Sequence, residues 1–252
     1  MTDYKDKIIC GDCLELLKEL PDNYIDLTVT SPPYNIGIGY ENYKDEMPWK
    51  DYYLWCEEWI SELMRVTKED GRICINHYLS FGSSNNRHSP LMKINSIAEN
   101  IGLKHHAVAV WEDATITKRT AWGSWLNASA PYINSPYEGI LILYKNRWKK
   151  DKSGITQITP KEFMDSCTGK WKIHPEHNRE HPAPFPLRLA ERCILLLSYE
   201  NDLILDPFIG SGTVAAAAIK WNRDFIGFEI SEEYVALANK RIQPYLNQTQ
   251  LF

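Results

Sequence analysis

Thr30-Ser31-Pro32-Pro33-Tyr34-Asn35 follows directly on the apolar run Ile25-Asp26-Leu27-Thr28-Val29, which is short and β-branched enough for a buried parallel strand. Two consecutive prolines donate no main-chain hydrogen bond and fix φ, so Pro32 and Pro33 carry the chain off the sheet as a stiff loop with outward carbonyls. Ser31 adds a hydroxyl acceptor and Tyr34 a flat aromatic face, a set that suits a planar ring bearing an exocyclic amino group. Such an amino group is a weak nucleophile because its lone pair is delocalised into the ring. Accepting both its hydrogens drives the nitrogen toward sp³ and frees the pair. A proline turn with a surface tyrosine would use the same letters, so the tetrad alone leaves both readings open.

A second stretch narrows them. Leu203-Ile204-Leu205-Asp206-Pro207-Phe208-Ile209-Gly210-Ser211-Gly212-Thr213 reads as an apolar strand, an acid at its carboxyl end and a glycine turn that opens a helix over 214–220. Gly210 and Gly212 permit a tight turn and close approach of a ligand, and Ser211 or Thr213 is expected to cap the helix. The turn lacks Gly-Lys-Ser/Thr and a third glycine at dinucleotide spacing, which weakens a phosphate reading. An aspartate at the strand tip suits an ammonium group instead. The next strand, Asp224 to Phe228, ends in Glu229, where doubly wound folds place the acid that holds a ribose diol. Ammonium plus ribose describes S-adenosylmethionine.

With both motifs in place the chain resembles the amino-methyltransferases of DNA, in the permuted β-class whose catalytic tetrad precedes its cofactor motif, and the resemblance covers nearly the whole chain. It implies that Asp206, Phe208, Gly210, Ser211, Gly212 and Thr213 form the cofactor loop and that Glu229 is the ribose acid. Ser31, Pro32, Pro33 and Tyr34 would be the catalytic tetrad in its serine form. His181-Pro182-Ala183-Pro184-Phe185-Pro186 matches the element that packs around the methionine end, which implicates Phe185 and Pro186. Ile9-Cys10-Gly11-Asp12-Cys13 matches the strand and acid that reach the adenine, which implicates Asp12. The expected fold is α/β, a doubly wound, mostly parallel seven-stranded sheet, circularly permuted, with the cofactor at the carboxyl ends of its strands.

The rest of the chain must position these groups. Its 252 residues suffice for one α/β core with a small insertion. The sequence divides into a catalytic half (1–145), a target-recognition insertion (146–180) and a cofactor half (181–252). Net charge is −5 and pI about 5.8, but affinity for DNA depends on phosphates neutralised locally, so the sign of the whole decides little. No apolar run approaches the roughly 18–20 residues of a membrane span, and Met1–Lys7 is polar, so neither signal peptide nor membrane helix is expected and the location is cytoplasmic. Cys10-x2-Cys13 has no second pair to complete a zinc site, and His174, His177 and His181 are interleaved with Pro175, Glu176 and Arg179; no metal is expected.

Leucines 14, 16, 17 and 20 mark a short helix stopped by Pro21. Residues 35–48 read as a loop able to close over substrate. Trp49 to Thr67 has the strongest helical period, with its tryptophans assigned to the core. Arg72 to His77 is a strand, and His77 a structural or lining residue rather than a base. A helix over 89–101 and strands over 103–111 and 138–144 follow. Between the last two lie Lys118, Arg119, Trp122 and Trp125, two cations and two indoles suited to phosphates and stacked-base space. Lys145, Arg147, Lys149 and Lys150 with Lys152 give five cations in eight residues, assigned to DNA contact in the insertion. A helix over 187–197 and one over 231–242 capped by Ser231 complete the chain, with 243–252 frayed.

The resemblance implies a methyltransferase that flips a base out of duplex DNA and methylates N4 of cytosine, the target associated with the serine form, with N6 of adenine as the alternative. Methylation of RNA or of a protein glutamine, whose enzymes have a related fold, and a DNA-binding module without catalysis are the competing readings. A partner restriction endonuclease and a homodimer are compatible with the class.

Overall fold

The computed structural model describes residues 4–37, 45–83, 86–113, 123–133, 135, 137–176 and 185–249. In chain order the elements are β1 (Lys7–Cys10), α1 (Cys13–Glu19), β2 (Ile25–Thr30), α2 (Trp49–Val66), β3 (Thr67–Tyr78), β4 (Phe81–Ser83), β5 (Asn86–His88), α3 (Pro90–Ile101), β6 (Lys104–Asp113), β7 (Glu138–Tyr144), α4 (Pro160–Cys167), β8 (Lys170–Ile173), α5 (Leu187–Leu197), β9 (Leu203–Asp206), α6 (Thr213–Lys220), β10 (Asp224–Glu229) and α7 (Glu232–Thr249). Lys118, Arg119, Trp122, His177 and 181–184 lie outside the described residues.

One sheet runs β1-β10-β9-β2-β3-β7-β6-β8, and β4 pairs with β5 as a separate hairpin. β1, β10, β9, β2 and β3 are mutually parallel; β7 is antiparallel to β3 and β6, and β8 is parallel to β6. Alternation along a strand sends side chains to opposite faces: Ile73 and Ile75 join Leu17, Trp59, Ile60 and Ile94 of α1, α2 and α3, and Cys74 joins Leu189, Ala190, Ala216 and Ala238 of α5, α6 and α7. Helices therefore cover both faces, as parallel strands require.

Three expectations change. The sheet has eight strands among the described residues, not seven, because β8 adds to the β6 edge. Residues 146–180 are consequently no separate insertion: β8 is hydrogen-bonded into the sheet and Trp171 is fully buried, its indole donating to the Ser166 carbonyl. The signal for α4 was in the sequence, since Thr159 and Glu162 form a capping box around Pro160 at the first helical position. Finally, α7 continues through Pro244 to Thr249, because Tyr245 and Leu246 pack on the core.

The strand directions also relocate the basic run. β7 is antiparallel to β3, with Arg72 opposite Tyr144, so Lys145–Lys152 emerge at the amino-end edge of the parallel strands, opposite the edge that carries Ser31 and Asp206. Lys145 is buried, its ammonium bound to Asn23 Oδ1 and to the carbonyls of Arg65 and Thr67. Lys150, with 7% of its side chain exposed, pairs with Asp202 at 2.7 Å and Asp26 at 3.7 Å. Arg147 pairs with Asp151 in solvent, and Lys149 is exposed on the same edge. The assignment of these four to DNA contact is therefore corrected: two tie the sheet together and two face away from the site. Lys150→Ala should lower stability by up to about 3 kcal/mol, since it leaves two largely buried carboxylates without their shared cation. The same substitution, and Lys149→Ala, should leave the salt dependence of DNA binding unchanged; equilibrium unfolding and filter binding across a salt series read the two effects.

Candidate active site

The acids and the tetrad meet because four adjacent parallel strands end together. Cys10 pairs with Glu229 across β1 and β10, Gly227 with Asp206 across β10 and β9, and β2 lies next with Leu27 opposite Ile204. Asp12, Glu229, Asp206 and Ser31 thus stand along one carboxyl-end rim. β3 ends there in Asn76, His77 and Tyr78, and β7 begins there, Glu138 lying opposite Tyr78.

Asp206 is 4% exposed. Its Oδ1 accepts from Thr30 Oγ1 at 2.7 Å and from the Phe208 N–H at 3.1 Å, and among the described residues no cation faces the carboxylate. Burial pushes its pKa up to about 7, against the lowering effect of the two hydrogen bonds and with Glu229 adding to the rise. Glu229 accepts from the Gly210 and Ser231 N–H groups; burial raises its pKa, the backbone donors opposing. Two adjacent carboxyls held from water without a counter-charge fit an aminoacyl ammonium at Asp206 and vicinal hydroxyls at Glu229.

The glycine turn is built for close packing rather than side-chain capping. Gly212 occupies the N-cap of α6 at φ +81° with no side-chain cap, so the expected Ser211 or Thr213 cap does not form. A Cβ at Gly212 would fall 2.9 Å from that of Ala238, which is why α6 and α7 can touch there. Ser211 instead accepts from Arg241 at 3.2 Å; Arg241 also pairs with Glu176, whose other oxygen accepts from the Leu187 N–H. Phe185 packs on the core beside Pro186, the N-cap of α5. Phe208 lies against Trp55 and Trp59, centroids 5.4 and 5.5 Å away. Asp12 caps α1 by accepting from the Leu14 N–H at 2.8 Å, which leaves Oδ2 for a ligand amino group.

Around the tetrad, Tyr52 donates its hydroxyl to the Pro33 carbonyl at 2.7 Å, while the Pro32 carbonyl takes no hydrogen bond from a described residue. Tyr34 is 9% exposed, one ring face stacked on His77 at 4.5 Å and its edge against Tyr78. The open stacking face expected of Tyr34 is thus partly covered. Its hydroxyl contacts Ser31 Oγ at 2.9 Å, Glu138 Oε2 at 2.7 Å and Asn76 Nδ2 at 2.6 Å. His77 is fully buried, accepts from the Tyr78 N–H and contacts Tyr52 Oη; burial drives its pKa down to about 3, so it is neutral and structural, as expected. Asn35, at φ +58°, exchanges two hydrogen bonds with the Met47 backbone, and Asp45 accepts from the Asn35 and Ile36 N–H groups. The loop after the tetrad is therefore clasped at both ends.

Thr30, Asn76, Glu138, Glu176 and Arg241 escaped the sequence reading. Thr30 sits one residue before Ser31, and its threonine at a buried strand end was the available signal. The others are brought in only by the sheet order and have no local signature.

The profile of the N6/N4 DNA methylase family, described as DNA methylase, matches residues 25–240. The chain belongs to this family. Among its curated relatives, the type II methyltransferase M.MjaVI of Methanocaldococcus jannaschii is 39% identical over 164 residues, 64% of this chain and 83% of that protein. Among solved structures, the DNA modification methylase TTHA0409 of Thermus thermophilus, complexed with S-adenosyl-L-methionine, superposes with TM-score 0.76 at 24% identity, covering 95% of this chain and 93% of that one. The cytosine-N4-specific PvuII DNA methyltransferase superposes with TM-score 0.71 at 21% identity, covering 96% and 91%. In this DNA methylase the large, mostly parallel sheet of the family carries every described tetrad and cofactor-loop residue on one rim.

Proposed function

We propose that the protein methylates the exocyclic amino nitrogen of a base in duplex DNA, using S-adenosylmethionine, and that the base is cytosine, modified at N4. When bound, the cofactor supplies a methyl group made electrophilic by its sulfonium. Asp206 holds the aminoacyl ammonium, Glu229 the ribose, and Asp12 the adenine amino group, with Phe208 and Phe185 as apolar walls. Ser31 Oγ and the Pro32 carbonyl accept the two hydrogens of the target amino group, freeing its lone pair. The observation that carries the reading is the pairing of an uncompensated buried Asp206 with two free acceptors on the neighbouring strand end, joined by the Thr30 bond.

The base must leave the duplex to reach that rim, so DNA lies across the carboxyl edge. β6 and β8 end at this edge and β4–β5 follows β3 there, which makes the connection 114–137, the hairpin and the residues after β8 the recognition surface. The connection holds Lys118, Arg119 and Trp122 in sequence and shows Trp125 64% and Leu126 89% exposed. Ser124 and Asn127 brace that tip by hydrogen bonds to the Asn127 carbonyl and to the Ala130 and Ser129 N–H groups. A braced apolar tip beside the site can wedge between base steps. Arg87 and Lys172 are exposed on the same side, and Arg87→Ala should reduce the salt slope of DNA binding by about one unit.

The serine form of the tetrad supports cytosine as the target. A modification role in a type II restriction system, with a cognate endonuclease in the cytoplasm, accords with the M.MjaVI likeness. Mass spectrometry of nucleosides from DNA treated with protein and cofactor tests the base: N4-methylcytosine is expected, and N6-methyladenine would transfer the same machinery to adenine.

A further inference from the structure

The donor and acceptor inventory around Tyr34 has one solution. Asn76 Nδ2 has two hydrogens and directs them at Tyr34 Oη, 2.6 Å away, and Glu138 Oε2, 2.7 Å away. The Glu138 carboxylate only accepts, so the Tyr34 proton goes to it across 2.7 Å. Tyr34 Oη, its proton spent, accepts from Ser31, 2.9 Å away. A flipped Asn76 amide would set its oxygen against the carboxylate, so Glu138 fixes that orientation too, at the cost of a buried Asn76 Oδ1 with no partner among the described residues. Burial and the neighbouring Glu138 hold the Tyr34 pKa well above its ordinary value, so the phenol stays protonated.

Given the reading of the site as an amino-methyltransferase, we infer that Glu138 is a positioning residue for base selection: by drawing the Tyr34 and Ser31 protons inward it makes Ser31 an acceptor only, so that the rim admits bases with an amino group and rejects their keto counterparts. With Ser31 Oγ and the Pro32 carbonyl both accepting, a keto oxygen would face two lone-pair surfaces. Without Glu138, Tyr34 can donate to Ser31, and the serine proton is free to turn outward and satisfy a keto group.

The test uses duplexes identical except at the target, carrying cytosine or uracil, and adenine or hypoxanthine, bound in the presence of S-adenosylhomocysteine. The wild-type protein should bind the amino member of its target pair about tenfold or more tightly than the keto member, the cost of an unpaired buried polar group. Glu138→Ala should bring that ratio to within about threefold, as should Tyr34→Phe, which keeps the ring on His77. Glu138→Gln, which can place an acceptor oxygen where Oε2 stands, should restore the preference. A loss of fold would weaken binding to both duplexes and leave no selective change in their ratio. A Glu138→Ala protein with the wild-type ratio overturns the inference while the methyltransferase reading stands. A wild-type protein that methylates no amino base in any duplex overturns that reading, and the inference falls with it.

Discussion

Asp206→Asn is expected to lose S-adenosylmethionine affinity by several kcal/mol, about 2–5, because the ligand ammonium then enters a buried site without a counter-charge. The free protein should not suffer. Asp206 in the empty site has its pKa raised to about 7, so the folded state binds a proton that the unfolded chain releases near pH 4. A group raised in this way contributes stability below its unfolded value and loses it as pH rises through about 7. The wild-type protein without cofactor should therefore become less stable, relative to Asp206→Asn, between about pH 4 and 7. Cofactor reverses the order, since its ammonium favours the ionised carboxylate, and wild-type affinity should climb as pH rises toward about 8. Calorimetric titration and unfolding across that range measure both. Equal cofactor affinity in the two proteins would remove Asp206 from the ammonium site.

Ser31→Ala should slow the chemical step by roughly a hundredfold, the scale found when one preorganised hydrogen-bonding group at a reacting centre is removed, with DNA affinity changed far less. The reason is local: one of two acceptors on the amino group disappears, while the Tyr34, Asn76 and Glu138 bonds stay satisfied among themselves. Single-turnover rates at saturating cofactor separate this from a binding defect. Tyr34→Ala is a poorer probe, because it opens a hole against His77 as well as unpinning Ser31. A wild-type rate in Ser31→Ala would leave the hydroxyl without a role in the transfer.

The sequence made the two halves of the site legible because each is written contiguously: prolines announce a strand exit, and glycines after a strand-end acid announce a ligand turn. Strand ends set by local composition, such as Glu138 to Tyr144, came out with the bounds the structure has. Pairing partners came out poorly. Nothing around Glu138 in the sequence tells that it opposes Tyr78, and nothing around Lys150 tells that Asp26 and Asp202 lie beside it, since both facts follow from sheet order. The basic run misled for the same reason: composition reports charge but not which edge of the sheet it leaves from. β8 was hidden because a four-residue strand with alternating burial is too short for its period to stand out.

The pairing of β2 with β9 joins Thr28 to Leu205, and that of β1 with β10 joins Lys7 to Ile226, so the sheet closes through contacts between distant parts of the chain. Loops of that length must be drawn in before such contacts repay them, which makes assembly slow. On a ribosome the strand bearing the tetrad would wait, one edge unpaired and apolar, for roughly ten seconds or more at ordinary elongation rates until β9 emerges. Methylating capacity thus arrives only with the last quarter of the chain, and a truncated product would expose a sticky β2 edge rather than a weak enzyme.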